Sequence, residues 1–278
     1  MLWQAKWRIE QRYQNAIHDL LQACVEAYAK NTSVEEFEQI MRMYASSEAF
    51  LGFANSLAEV MITGLFDDVG RSWREAARHN MQGRELYDLL INDLAGARGE
   101  AMHRMIHENA SLIRTLPISV AKQVSEYTMR EALKGRRPED IEGEITKLFP
   151  RRSKARAKLI ARTEVSKAQS ALIQSDCELI GVDWYIWHST HDQRARYSHQ
   201  KMDGIICSWR DPPNPEKLFP GPRSKPYGEY HPGDTFNCRC YPEPLVTKSQ
   251  IIQNTYRVCI NGRLIIMKRS DVIRLIAV

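Results

Sequence analysis

The sequence predicts an α+β protein, with a mostly helical N-terminal half and a smaller α+β C-terminal module that carries a long Pro-rich loop and a terminal β-hairpin. Three observations predict it. The chain has 278 residues and no proline before Pro117, and apolar residues recur at helical spacing along that stretch. Nine of the twelve prolines then fall between Pro212 and Pro244. Near the end, Val258–Ile260 and Arg263–Met267 flank Asn261-Gly262, a pair suited to the positive φ angles of a tight hairpin turn.

The first helix follows from Ile9, Tyr13, Ile17, Leu20 and Cys24. A second is expected from Ser33, whose hydroxyl can cap the helix while Glu36, three residues on, reaches back. Phe50, Phe53, Leu57, Val60 and Met61 continue the pattern until Gly64, where a break is expected. Helical spacing resumes through Trp73 and, beyond Gly99, through Met102, Ile106, Ala110 and Ile113. After Pro117 a helix through Val120, Val124 and Leu133 should stop near Gly135, because a glycine there closes a helix in the left-handed conformation. Pro150 then marks the expected boundary between a helical domain, residues 1–150, and an α+β module, residues 151–278. That module should open with a long helix from Ser153 to Gly181, followed by a β-branched and aromatic strand from Val182 to Trp187. The proline-rich interval from Asp211 to Asp234 should be irregular, and loops of that length are commonly functional. A short helix capped by Ser270-Asp271 is expected to close the chain.

Charge divides the halves as well. Residues 1–150 carry a formal net −4 and residues 151–278 a net +9, so only the second half is suited to polyanions or acidic partners. No run approaches the roughly 18–20 uninterrupted apolar residues of a membrane span, and no signal-peptide pattern opens the chain. The six cysteines are therefore expected to be reduced, and any special role for them to be metal ligation.

His199, His231, Cys238 and Cys240 form the candidate metal set, because two thiolates and two imidazoles suit tetrahedral Zn²⁺. The single residue between the cysteines is shorter than the usual two to four, although i and i+2 side chains share a face of an extended segment. Cys207 is an alternative to one histidine; reduced core cysteines are the other reading.

Arg162 and Glu164 on the long helix, with Asp192, Arg194 and Arg196 beyond the strand, form a polar cluster. Its expected role is structural, with carboxylates and guanidiniums tying helix, strand end and loop together. No nucleophile with an adjacent base and no phosphate-cradling glycine loop accompanies it, so no catalytic residues are assigned. Arg151, Arg152, Lys154, Arg156 and Lys158 lie in a stretch with seven cations and no acid between Ile145 and Thr163. Such a stretch suits non-specific contact with DNA or with an acidic protein face, and equally a solvated helix surface.

Arg162-Thr163-Glu164, Trp187, Asp192, Arg194, Arg196, His199, Gly204 and Cys238-Arg239-Cys240 stand in an order and spacing that resembles the phage Mu F-like minor head proteins, also called phage head morphogenesis proteins. The resemblance covers roughly the C-terminal two-fifths of the chain. It implies a minor capsid protein of a tailed phage or prophage that associates with the portal protein, acts in head assembly and in handling DNA for packaging or ejection, and is not an enzyme. Implied partners are the portal protein, other capsid proteins and non-specific DNA, with no membrane. The implied location is the virion head near the portal vertex, reached from the host cytoplasm. The alternative is a metal-dependent nuclease acting on phage or host DNA, with His199 as base. Exposed tryptophans such as Trp3 and Trp7 are expected to suit docking to another subunit.

Overall fold

The computed structural model describes residues 2–28, 33–78, 87–90, 96–191, 195–221 and 226–276. The elements are helices α1 (Trp7–Tyr28), α2 (Val34–Ser46), α3 (Glu48–Arg78), α4 (Ala97–Leu133) and α5 (Pro138–Ile180), then strand β1 (Trp184–His188), helix α6 (Tyr197–Met202), strand β2 (Ile206–Ser208) and helix α7 (Pro215–Leu218). Strands β3 (Tyr241–Pro244), β4 (Thr255–Ile260) and β5 (Arg263–Lys268) follow, with a 3-10 turn at Lys248–Gln250, and helix α8 (Arg269–Leu275) comes last. The α+β class is as the sequence predicts.

Two compact units divide the chain: Met1–Lys6, Thr63–His103 and Arg162–Val278 form one, and Trp7–Ile62 with Arg104–Ala161 the other. The expected boundary at Pro150 is thus not where the structure divides. Pro150 lies inside α5 and Pro117 inside α4. An interior proline costs about 3 kcal/mol, which burial of Ile113, Leu116 and Val120 around the first, and of Ile145 and Phe149 beside the second, offsets. Gly64 likewise fails to interrupt α3, which is continuous over 31 residues.

The all-helical unit follows its periodicity. Tyr13, Ile17 and Leu21 of α1 are buried, as are Phe37 and Met41 of α2 and Val124 of α4, and Tyr13 donates to Asn109 Oδ1 over 3.2 Å. The α2 start is the expected capping box: Ser33 Oγ accepts from Glu36 N at 3.2 Å and Glu36 accepts from Ser33 N at 3.0 Å. Gly135 takes φ +78° at the α4 terminus, and beside it Arg136 pairs with Glu144 at 2.7 Å and with Glu131 at 3.4 Å. By length and composition α3 is apolar enough to cross a membrane, although its three glycines and scattered acids interrupt the apolar run. Its buried residues Ala54, Ala58, Ile62, Leu65 and Val69 recur at three to four positions, the spacing of a helix packed on one face.

The second unit holds the sheet, in the order β3-β1-β2-β4-β5, antiparallel except for the β2–β4 pair. β3 reads Tyr-Pro-Glu-Pro and sits at the edge, where prolines that cannot donate are tolerated. Asn261 (φ 50°) and Gly262 (φ 66°) make the predicted hairpin turn between β4 and β5. Ile206, Leu245, Ile251, Tyr256, Val258 and Val272 pack beneath the sheet. Ser270 lies within α8, whose cap position is Lys268 and not the expected Ser270. Trp3 is buried edge-on against Trp73 at 4.9 Å, and Gln169 donates to its carbonyl; only Trp7 of the two N-terminal tryptophans is exposed.

Candidate functional site: a Cys–His cluster under the proline-rich loop

The loop that joins β2 to β3 is held against α5 by short-range contacts. Gly233, at φ +98°, comes so close that a Cβ there would stand 2.8 Å from Ser166 O and 3.2 Å from Ser170 Cβ. Only glycine fits that approach and that backbone angle. Four residues on, Asn237 adopts φ 57°, donates its N–H to Thr163 Oγ1 at 2.9 Å and accepts from Arg162 Nη1 at 3.0 Å. The turn so formed, closed by Cys238 N donating to Thr235 O, aims Cys238 and Cys240 inward.

Those two sulfurs meet His199 of α6. His199 Nδ1 lies 3.3 Å from Cys240 Sγ and 3.5 Å from Cys238 Sγ, and the three side chains are buried. All three donor atoms fall within 4.8 Å of one another. The other imidazole nitrogen, Nε2, lies 2.9 Å from Tyr230 Oη, which in turn donates to the Glu216 carboxylate at 2.9 Å. Ser198 Oγ donates to the same carboxylate at 2.9 Å. Because Glu216 accepts from the phenol, Tyr230 Oη is left to accept from His199 Nε2–H, which leaves the Nδ1 lone pair facing the sulfurs. Trp187 of β1 packs edge-on against His199 at 5.7 Å and Tyr230 at 6.0 Å.

Cys238 is held well below the ordinary thiol range, chiefly by a hydrogen bond from the Cys240 thiol. Cys240 is pushed well above it, first by that same bond to Cys238 and then by burial, while the Trp187 indole and Ser189 hydroxyl favour its thiolate. Burial and the Glu216 charge push the Tyr230 phenol far up, so it stays protonated and donates.

His231 is not in this cluster, contrary to the four-residue set expected from sequence. Its Nδ1 is 3.0 Å from Tyr185 Oη, and its ring packs on Trp209 at 5.0 Å. Burial lowers its pKa to about 4, so it is a neutral core histidine. Cys207, the alternative ligand, is buried among other partners, with its thiol 3.8 Å from Ile205 O. All six cysteines are free thiols.

In the polar cluster the described contacts of Arg196 and Arg162 run to the loop. Arg196 donates to Phe236 O at 2.7 Å, Thr235 Oγ1 at 3.2 Å and Tyr227 Oη at 3.3 Å, and its guanidinium stacks over Tyr227 at 4.6 Å. Arg162 reaches the loop through Asn237, and Glu164 is half-buried two residues along α5. Asp192 and Arg194 lie outside the described residues. Among the described residues Arg162 and Arg196 thus clasp the loop through Asn237, Thr235, Tyr227 and the Phe236 carbonyl. Tyr230, Glu216 and Asn237 went unrecognised in the sequence; only the left-handed tendency of asparagine gave a signal for the last. In the basic stretch, Arg151, Arg152, Lys154 and Lys158 are exposed. Arg156 is not: it donates to Ser119 Oγ at 2.8 Å, and burial lowers its pKa.

Fold and site together define a small sheet module whose irregular loop is clasped by arginines above a buried Cys₂His cluster. Residues 122–242 match the model of the family described as Phage Mu protein F like protein. An uncharacterised protein of Haemophilus influenzae is 30% identical over 157 residues, which is 56% of this chain and 32% of that protein. The chain thus spans about a third of the length of that curated relative. No solved structure matches the chain significantly.

Proposed function

We propose that the protein is a minor head protein of a tailed phage or prophage, portal-associated and acting in head assembly, with the 162–242 region as a rigid docking module. The observation that carries this reading is the family match over residues 122–242, the segment in which the loop is clasped to α5. The build of the cluster favours a structural role over turnover. Both ring nitrogens of His199 are engaged, and the side chain is buried, so a substrate proton has no route to it. A nuclease using His199 as base would need one of those nitrogens free and solvent within reach.

Co-expression with the portal protein of the same phage tests the reading: the two should co-purify through size exclusion, and Arg196→Ala, which releases Tyr227, Thr235 and the Phe236 carbonyl, should reduce the recovered complex several-fold. Separate elution of the wild-type proteins would overturn it, as would DNA cleavage lost on His199→Ala.

Non-specific DNA contact is a second reading, favoured by the four exposed cations Arg151, Arg152, Lys154 and Lys158 on one stretch of α5. A duplex neutralised by about four cations should lose affinity with a log–log salt slope of about −3 to −4. Gel-shift titrations at two salt concentrations check this, and Lys154→Glu with Lys158→Glu should flatten the slope by about half; binding indifferent to salt would refute it.

A further inference from the structure

We propose that His199, Cys238 and Cys240 bind one Zn²⁺ ion, through His199 Nδ1 and both sulfurs, and that this ion locks the proline-rich loop to α6. This goes beyond an assembly role, since it concerns the chain alone and is tested without any partner. Three independent features of the site point to it.

The first is spacing. Across a tetrahedral zinc with Zn–S of about 2.3 Å and Zn–N of about 2.0 Å, a nitrogen and a sulfur stand about 3.5 Å apart. His199 Nδ1 is 3.3 and 3.5 Å from the two sulfurs. The second is tautomer. A zinc-bound histidine donates its remote N–H to a fixed acceptor, which sets ring orientation and raises basicity. Here Nε2 meets Tyr230 Oη at 2.9 Å, and the phenol is pinned by the buried Glu216 carboxylate. That relay turns the Nδ1 lone pair toward both sulfurs. The third is a pair of buried donors, the Trp187 indole and the Ser189 hydroxyl, that face the Cys240 sulfur. A sulfur held as thiolate by a cation is the acceptor that suits them.

Among the described residues no fourth His, Cys, Asp or Glu joins the group, so a water molecule completes the tetrahedron. Burial of all three ligands argues that this position serves coordination and not substrate. The ion would cross-link α6 to the segment just before β3, on either side of a loop rich in proline and glycine, and binding free energy would offset the entropy of ordering that loop.

The test is a Co²⁺ titration of the full chain after reduction and chelator treatment. Thiolate-to-cobalt charge transfer in the near ultraviolet should saturate at one Co²⁺ per chain and be displaced by Zn²⁺. Cys238→Ser should lose most of the band, whereas Cys24→Ser, in the helical unit, should keep it. Tyr230→Phe retains the ligands and the ring but removes the acceptor for Nε2–H, and should weaken Zn²⁺ binding about 10–100-fold at unchanged stoichiometry. The inference is overturned if the wild-type chain develops no such band at saturating Co²⁺. It is equally overturned if the band survives in both Cys238→Ser and Cys240→Ser. If either variant fails to fold, the wild-type titration and Tyr230→Phe decide the matter. Neither outcome bears on co-purification with the portal, so the two readings fail separately.

Discussion

Replacing Arg98 with methionine should destabilise the sheet-bearing unit by about 3–5 kcal/mol, the range for removing one partner of a buried ion pair. Arg98 Nε stands 2.6 Å from Asp176 Oδ1 and its Nη2 3.3 Å from Oδ2. Its Nη1 donates to Leu90 O at 3.0 Å, and the guanidinium lies over the Phe66 ring at 4.1 Å. Asp176 has no exposed side-chain surface, so methionine would leave a desolvated carboxylate without its cation.

The loss should depend on pH. Burial already raises Asp176 from 3.8 to about 6, with Arg98 pulling the other way. A carboxyl whose native pKa lies above its unfolded one binds more protons when folded, so it contributes stability fully present below pH 3.8 that fades as pH rises through about 6. Without Arg98 the native pKa climbs further and that window extends upward. The variant should therefore be impaired more at pH 8 than at pH 5, where the carboxyl takes up a proton and becomes neutral. Chemical denaturation at the two pH values measures this. An equal loss at both would show that Asp176 does not carry the effect. Adding Asp176→Leu should recover much of the stability, because no buried charge then remains.

What the sequence revealed depended on how far apart the interacting residues stand. The α2 cap is legible because Ser33 and Glu36 are three positions apart, and the hairpin because Asn261-Gly262 is its own turn signal. Both are local devices. Pro117, Pro150 and Gly64 misled for the opposite reason: their unfavourable local preferences are outweighed by burial of neighbours such as Ile113, Ile145 and Ile62, which the local sequence does not announce. β2 has three residues and β3 two prolines, so neither carries a strand pattern; each exists because β1 lies alongside.

The cluster was half legible on the same terms. Cys238 and Cys240 were legible because i and i+2 side chains share a face of an extended segment, and His199 because of its place in the order of residues that resembles the Mu F-like proteins. The preference of zinc for four donors suggested His231, yet that side chain meets Tyr185, 46 residues away. The Tyr230–Glu216 relay gave no sign, since a phenol and a carboxylate in a polar loop look solvated until the loop folds over them.

Trp187→Ala should be about as damaging as the loss of Arg98, on the order of 3–5 kcal/mol for a large aromatic removed from a packed core. The side chain is fully buried near the C-terminal end of β1, and the backbone there is held by Trp187 N donating to Ile205 O and Gly204 N to Trp187 O, both at 2.9 Å. Its indole also walls the cluster, packing edge-on against His199 and Tyr230. Alanine would open a cavity there and leave both rings free to turn, so the loop between residues 211 and 234 should become the first site of limited proteolysis. Trp7→Ala is the matched control: that ring is 69% exposed, and its loss should change stability by no more than about 0.5 kcal/mol. The contrast isolates packing from residue type. If the two variants unfold at the same denaturant concentration, then β1 does not support the cluster and the clasped loop owes its order to something other than the sheet beneath it. If Trp187→Ala is strongly destabilised but its loop resists protease as well as wild type, the arginine clasp alone holds the loop.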